Sequence, residues 1–193
     1  MDSIKYLEPA EMLRVLATAQ KKSARDFCLV LFAFRFGLRS QELSNLTLAD
    51  VADGVLDCRR LKGSEHTRQQ ITSDPNPLLD CKRALSAWLR VRGDADGSVF
   101  LFTSRNGGGL KRRAIFDIFE AAAIHAGIER GRRNIHICNH SLAVNLRKGG
   151  APVDIVRAAL GHKDPGTTIR FYYHTTQTEA TEAITETFGK VFA

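Results

Sequence analysis

Four of the six histidines lie in one stretch of the sequence, where imidazole groups can bind metal or transfer protons near neutral pH. They are His136, His140, His162 and His174. The first two are four residues apart, a spacing that places both on one helix face and suits a metal site. No glutamate follows His136 as a zinc-protease motif requires, and no third ligand stands at a diagnostic spacing. The sequence favours no metal, with a His136–His140 site as the alternative. No nucleophile-elbow motif supports a Ser–His–Asp arrangement.

A stronger signal comes from five short segments and their order along the chain. Taken alone, each has an ordinary explanation: Arg39 as a surface residue at a helix start, Lys62 as an exposed hairpin lysine, His162 as part of a helix terminator. Their occurrence together, in this order, indicates a shared function. The segments are Phe36-Gly37-Leu38-Arg39-Ser40-Gln41-Glu42-Leu43, Arg59-Arg60-Leu61-Lys62-Gly63-Ser64, His136-Ile137-Cys138-Asn139-His140, Leu160-Gly161-His162 and Thr167 to His174.

This order resembles the tyrosine recombinase, or phage integrase, family over nearly the whole chain. The likeness is greatest to short members that consist of little more than the catalytic domain, such as the fimbrial-switch invertases. The family uses an Arg, Lys, His, Arg, His-or-Trp set and a nucleophilic Tyr. By motif, Arg39 matches the first arginine (G-L-R-x-x-E-L) and Lys62 the hairpin lysine. His136 matches the first histidine of H-x-L-R-H, and His162 the histidine of L-G-H.

Two positions depart from the family pattern. Asn139 stands where the H-x-L-R-H box has its second catalytic arginine. The family tyrosine usually comes nine residues after the L-G-H histidine, and that position is Phe171. Tyr172, Tyr173 and the following histidine fit the family's Y-x-H ending if one residue has been inserted. We therefore predict Tyr172 as the nucleophile, with Tyr173 as the second choice.

The resemblance implies that a tyrosine hydroxyl attacks a DNA phosphodiester, giving a 3′-phosphotyrosyl enzyme and a free 5′-hydroxyl that attacks a second strand. Arg39 would supply a guanidinium fork for the charge on the non-bridging oxygens. His136 and His162 would donate hydrogen bonds or exchange protons, and Lys62 would protonate the departing 5′-oxygen. No metal and no nucleotide cofactor is needed. Asn139 can donate a hydrogen bond but carries no charge.

The elements that must position these residues are predominantly helical. A helix from Pro9 places apolar residues on one face, a second runs over 27–36 to Gly37, and Ser40 caps a short third helix. Strand-like runs at 55–58 and 66–72 predict a β-hairpin. Further helices are predicted from Asn76-Pro77 and over 113–126, 139–149, 152–160 and 178–188. We predict a mainly α fold with a small antiparallel β-hairpin or sheet, of tyrosine-recombinase catalytic-domain type. The prediction is one domain over 1–193, without a separate N-terminal core-binding domain.

The charge balance favours a polyanionic partner. Lys plus Arg number 28 against 21 Asp plus Glu, a net charge of +7. The excess is clustered, as expected for double-stranded DNA binding, although a solvated basic surface is the alternative. The predicted DNA-binding residues are Arg59, Arg60, Arg68, Lys111, Arg112, Arg113, Arg132 and Arg133.

The remaining features concern location and assembly. No apolar run is long enough for a membrane span, no secretory signal is present, and the four scattered cysteines suit a reducing compartment, so we predict a cytoplasmic protein without a membrane partner. The helix at 178–188 either packs on its own core or docks on a neighbouring protomer, and the family implies a tetramer on DNA. The leading prediction is a recombinase that integrates, excises or inverts DNA, with activity impaired by Asn139. The alternatives are a recombinase-derived DNA-binding or regulatory protein that no longer cuts, and a basic helical domain unrelated to DNA.

Overall fold

The computed structural model describes residues 5–61, 64–93, 97–104 and 106–164, together with positions 166, 168, 169, 181, 184, 185, 188 and 189. Over these residues it consists of α-helices and one two-stranded antiparallel sheet. The predicted mainly α fold with a small hairpin is confirmed. The predicted helix over 178–188 falls largely outside the described residues.

The first two helices form the centre of the molecule. Helix α1 (Pro9–Lys22) begins with proline at a position where the missing N–H costs nothing, and it buries one apolar face. Helix α2 (Ala24–Arg35) is apolar around most of its circumference and is therefore buried between other elements. Ser23 separates the two helices, and its hydroxyl accepts the Asp26 backbone N–H at 3.0 Å, which starts α2.

A short helix and the hairpin follow α2. Helix α3 (Ser40–Asn45) has Arg39 as its N-cap residue. The Arg39 backbone N–H donates to the Glu42 carboxylate at 2.8 Å. The predicted cap at Ser40 is therefore wrong by one position. Strands β1 (Val55–Cys58) and β2 (Thr67–Gln70) pair antiparallel, with Val55 opposite Gln70.

Four longer helices complete the described fold: α4 (Cys81–Arg92), α5 (Arg112–His125), α6 (Ile137–Lys148) and α7 (Val153–Leu160). The predicted start of α4 at Asn76-Pro77 is wrong. Asp80 caps α4 instead, since its carboxylate accepts the Arg83 N–H at 2.9 Å. The Asn76 side chain accepts the Leu78 N–H in a local turn.

Close packing at the end of α2 brings the site elements together. Gly37 adopts φ +56°, and a Cβ there would lie 3.0 Å from Leu160 Cδ2 and 3.2 Å from Leu142 Cδ2. Only glycine allows this backbone conformation and this approach without strain. The loop that carries Arg39 therefore lies directly against α6 and α7. Helix α6 begins at the His136 motif, and α7 ends at the motif that contains His162.

Candidate functional site

Arg39 stands at the start of α3 with its guanidinium partly exposed. Nη1 donates to Ser64 Oγ at 2.9 Å and to Glu42 Oε1 at 3.1 Å. The side chain remains 28% exposed, so the outer part of the fork is open to solvent. Two fixed acceptors on one side orient the guanidinium and leave its remaining donors for an anion.

Glu42 holds this arrangement from inside the fold. Its carboxylate has no exposed surface and accepts four donors: the Arg39 N–H and guanidinium, the Arg60 guanidinium and the Leu61 N–H. A buried carboxylate is tolerated only when it is paired and hydrogen-bonded in this way. Glu42 therefore positions Arg39 and the start of the hairpin tip. The sequence analysis did not select it, although the G-L-R-x-x-E-L pattern contains it.

Arg60 was predicted to contact DNA, but the structure places it in the interior. Its side chain has no exposed surface. Besides Glu42, it donates to Thr67 Oγ1 at 2.9 Å and to the backbone carbonyls of Phe36, Gly37 and Ala159. A phosphate cannot reach this guanidinium without breaking five hydrogen bonds. The DNA-binding prediction for Arg60 is wrong, and its role is to join the α2 end, the hairpin and the α7 end.

His162 is joined to the hairpin by backbone contacts. Ser64 and His162 form an isolated antiparallel bridge, and the Glu65 N–H donates to the Gly161 carbonyl at 2.8 Å. The His162 ring is half-buried, with Nδ1 2.9 Å from the hydroxyl oxygen of the fully buried Thr168. Lys62 itself lies outside the described residues, between Leu61 and Ser64, which both belong to this network.

Burial and neighbouring positive charges lower the pKa of His162. Burial is the largest cause, followed by the guanidinium groups of Arg39 and Arg60 and by His140. Burial likewise lowers the pKa of His136, with further contributions from Arg39 and Arg112. The Arg39 guanidinium therefore disfavours protonation of both site histidines in the absence of an anion.

His136 caps the start of α6 and lines an open groove of about 320 Å³. The groove is also lined by Ser40, Arg112, Arg113, Phe116, Asn134 and Ile135. The backbone N–H of His136 donates to Asn134 Oδ1 at 2.9 Å, which fixes the turn before α6. The groove is basic along the side formed by the first turn of α5.

Asn139, on the first turn of α6, points into the fold. Its Nδ2 donates to the Gly37 carbonyl at 3.0 Å, an oxygen that Arg60 Nη1 also contacts at 2.7 Å. Asn139 Oδ1 is buried and accepts no hydrogen bond among the described residues. The amide therefore adds no charge to the surface that Arg39 faces, and its Nδ2 is engaged by a backbone carbonyl.

The other predicted DNA-binding residues differ in how exposed and how occupied they are. Arg59 and Lys111 are exposed, and Arg68 is 72% exposed with a long contact of 3.5 Å to Asp57. Arg113 pairs with Asp117 at 2.9 Å and lies over the Phe116 ring. These residues stay predictions, since their exposure is compatible with phosphate contacts.

Arg132 and Arg133 are largely occupied by protein acceptors. Arg132 makes a bidentate contact with Glu11, at 2.7 and 2.9 Å, and also donates to the Tyr6 carbonyl. Arg133 Nε donates to the Ile128 carbonyl at 2.7 Å. Arg132 therefore connects α1 to the segment before α6. Arg132 and Arg133 both make contacts within the protein, which composition alone does not indicate.

Some predicted residues lie outside the described part of the chain. These are Lys62, Phe171, Tyr172 and Tyr173. Within the described ranges, no group of three or more His, Cys, Asp or Glu side chains is arranged to hold a metal ion. Over those same ranges, no helix combines the length and apolar character needed to cross a membrane.

Sequence reasoning missed three polar side chains that position the site: Glu42, Ser64 and Thr168. All three lie inside segments that the motif comparison had identified. None carries a signal of its own, because a glutamate, serine or threonine near a basic residue is common on any surface. Their roles become visible only through contacts between segments that are distant in the chain.

The fold is that of a tyrosine recombinase catalytic domain. It superimposes on the crystal structure of the XerH site-specific recombinase bound to difH substrate with a TM-score of 0.77, at 22% identity over 95% of this chain and 55% of that one. The model of the phage integrase family matches residues 5–179. The chain belongs to the phage integrase family.

Two curated relatives extend this result. The type 1 fimbriae regulatory protein FimE of Escherichia coli strain K12 is 32% identical over 154 residues, covering 77% of this chain and 74% of that protein. The tyrosine recombinase XerD of Caulobacter vibrioides is 34% identical over 183 residues, covering 88% of this chain and 57% of that protein. The predicted membership of the tyrosine recombinases, including the likeness to short fimbrial relatives, is confirmed. The prediction that the chain is a site-specific recombinase enzyme is confirmed at the level of this family.

Proposed function

We propose that this chain cuts and rejoins DNA at a specific site through a 3′-phosphotyrosyl intermediate, and so integrates, excises or inverts a DNA segment. The observation that supports this most directly is the convergence of Arg39, His136 and His162. Arg39 is hydrogen-bonded to Ser64, which forms a backbone bridge with His162, and Ser40, the residue after Arg39, lines the same groove as His136. These groups come from separate segments, and they match the order in which the family supplies its phosphate-binding residues.

In this proposal each described residue acts on the scissile phosphate. Arg39 binds a non-bridging oxygen with its outer donors and stabilises the charge that grows in the transition state. The two histidines approach the phosphate as neutral rings, since their pKa values are lowered in the free protein. An approaching phosphate raises those pKa values, so that either ring can hold a proton and donate it in a hydrogen bond.

The remaining roles fall to residues outside the described ranges. Lys62 protonates the departing 5′-oxygen, and Tyr172 is the nucleophile, with Tyr173 as the second choice. The proton of the tyrosine hydroxyl passes to one of the two neutral histidine rings, His136 or His162, as the tyrosine oxygen forms the bond to phosphorus. The bond from phosphorus to the 5′-oxygen breaks, and that oxygen takes the proton from Lys62. The phosphodiester energy is conserved in the tyrosyl bond, so no cofactor is required.

Activity is expected to be reduced by Asn139. Loss of one preorganised charged donor costs roughly 3–4 kcal/mol, or about a hundredfold to a thousandfold in rate. The orientation of the Asn139 amide supports this expectation, because its Nδ2 is already bonded to the Gly37 carbonyl.

The proposal extends to partners and location. We propose double-stranded DNA as the substrate, a tetramer assembled on DNA with the 178–188 helix docked on a neighbour, one catalytic domain over 1–193, and a cytoplasmic protein. The basic groove beside His136 and the exposed Arg59, Arg68 and Lys111 support the DNA partner. The family's tetrameric mode of action supports the assembly.

A second candidate function is a DNA-binding or regulatory protein that no longer cuts. The buried, inward-facing amide of Asn139 and the phenylalanine at the ungapped nucleophile position favour it. Both functions predict DNA binding that weakens steeply with salt, because phosphate contacts release counterions. Salt-independent binding, or none, would favour a domain unrelated to DNA.

Covalent trapping separates these candidates. Nicked suicide duplexes carry the sequence that flanks the DNA segment encoding this chain. They are incubated with the wild type, Tyr172→Phe and Tyr173→Phe, and the products are resolved on a denaturing gel. A covalent protein–DNA band that is lost in Tyr172→Phe alone supports the recombinase and its first-choice nucleophile. DNA binding without a covalent band in any lane would favour the protein that binds without cutting.

A further inference from the structure

The proposed chemistry needs two guanidinium groups on one phosphate, and the motif positions supply only one. Arg39 has donors open to solvent, whereas position 139 carries a neutral amide turned towards the Gly37 carbonyl. A second cation for the same phosphate must therefore come from elsewhere in the fold, or the site works with a single fork.

Most arginines near the site are held by protein acceptors. Arg60 is fully buried with five hydrogen bonds. Arg132 is bound bidentately by Glu11, and Arg133 is bonded to a backbone carbonyl. Arg113 is paired with the carboxylate of Asp117 one helical turn away. Recruiting Arg60 or Arg132 would first require breaking an existing contact, while Arg113 and Arg133 are each already fixed through Nε.

Arg112 is different from this group. It is exposed at the first position of α5, and it makes no hydrogen bond or ion pair within the part of the chain that the structure describes. It lines the groove that also contains His136 and Ser40, and Ser40 is the residue that follows Arg39. The side chain is therefore both unoccupied and beside the site.

The charges around this groove are arranged unfavourably in the absence of an anion. Arg39 and Arg112 both lower the pKa of His136, and the Glu42 carboxylate, which is already bonded to Arg39 and Arg60, opposes them only in part. The first turn of α5 contains no acidic residue, so no carboxylate there compensates Arg112. Like charges held close together in a fold lose stability unless an anion is placed between them. A phosphate bound beside His136 would contact opposite charge on more than one side.

We propose that Arg112 supplies the second guanidinium of this site, binding the scissile phosphate from the His136 groove in place of the arginine that position 139 lacks. This inference rests on the proposed function. It differs from ordinary backbone binding in one respect: Arg112 then contributes to the reaction rate of DNA that is already bound, and not only to DNA affinity.

The first test is single-turnover strand cleavage of the suicide duplex, at protein concentrations that saturate the DNA. Arg112→Ala is expected to slow cleavage by about a hundredfold or more, as for loss of one preorganised charged donor. Arg112→Lys keeps the charge but not the fork and should recover only part of the rate. Arg83→Ala, which removes an exposed arginine from the first turn of α4, serves as the matched control and should leave the rate unchanged.

A double variant adds a test of the shared role. If Arg112 stands in for the missing arginine, Asn139→Arg should restore cleavage in the Arg112→Ala background. A cleavage rate in Arg112→Ala that equals the wild type once DNA is saturating would overturn the proposal, because Arg112 would then serve binding alone.

A second readout does not depend on cleavage. The pKa of His136 is followed by NMR while inorganic phosphate is added to the DNA-free protein. Phosphate held beside Arg39 and Arg112 should raise that pKa in the wild type and in Arg83→Ala. About tenfold weaker phosphate binding is expected in Arg112→Ala, for loss of one charge-assisted contact. If the wild type never cleaves DNA, the proposed function fails while this titration still decides the role of Arg112. An unchanged phosphate response in Arg112→Ala would refute it.

Discussion

Removing the charge of Glu42, while keeping its shape, should destabilise the fold severely. The perturbation is Glu42→Gln, which preserves volume and one carbonyl acceptor. It replaces the other oxygen by an amide donor that faces donors already in place. The Arg60 guanidinium would then remain fully buried without an opposing charge.

The magnitude follows from the burial of the pair. Both side chains of the Arg60–Glu42 contact have no exposed surface, and the two groups lie 3.1 Å apart. Breaking a buried pair by removing one partner typically costs about 3–5 kcal/mol, because the remaining charge is uncompensated. The second arginine, Arg39, is 28% exposed, so water partly compensates its charge when the Glu42 carboxylate is neutralised.

Urea denaturation measures this change directly. A loss of 3–5 kcal/mol should lower the urea midpoint by about 1–2 M at a typical denaturant slope. The control is Asp117→Asn, which breaks an exposed pair with Arg113 at 2.9 Å and should cost less than about 1 kcal/mol. Equal midpoints for the two variants would refute the view that the Glu42 carboxylate stabilises the fold by compensating the buried Arg60 guanidinium.

Three further predictions concern the same region. Asn139→Arg should raise the rate of strand cleavage by about a hundredfold in the Arg112→Ala background and by less in the wild type, and an unchanged or lower rate in both would show that position 139 is not a vacated arginine site. Gly161→Ala should lose about 1 kcal/mol more stability in thermal unfolding than Gly127→Ala. Both glycines have positive φ, but only at Gly161 does an added Cβ meet neighbouring atoms, at 3.0 Å; equal losses would contradict the packing argument. Burial lowers the pKa of His140 as it does those of His136 and His162, so the unfolded chain binds more protons, and the free energy of unfolding should fall as the pH drops below about 6.5. Urea midpoints at pH 7.5 and 5.5 check this, and a midpoint that rises at the lower pH would contradict it.

Local features of the fold could be predicted from the sequence. The apolar spacing of α1, the hairpin strands and the glycine at position 37 depend on periodicity and backbone preference, which act within a few residues. The start of α4 could not, because Asn76 and Asp80 are both good caps. The choice between them depends on which segment packs against α2.

The site was predictable as far as its motifs extend. Arg39, His136 and His162 were identified from local pattern and order. The burial of Arg60 was not, because counting charges treats every arginine as a surface residue. Its partners include Ala159, 99 residues away along the chain. Arg132 shows the same limit, since it pairs with Glu11 at a separation of 121 residues.

The contact between the hairpin tip and the end of α7 limits how far these two segments can move apart. The Glu65 N–H and the Gly161 carbonyl, joined at 2.8 Å, connect the segment that carries Lys62 to the segment that carries His162. The described backbone that follows Lys62 in the sequence is thus packed against the segment that carries His162. The segments are not joined by one bond alone, because the Ser64–His162 bridge, the Arg157–Glu65 ion pair and the Arg60 contact with the Ala159 carbonyl also connect them. The two segments are therefore expected to separate only together with the contacts around Arg60, so that this part of the site is preserved or lost as a unit.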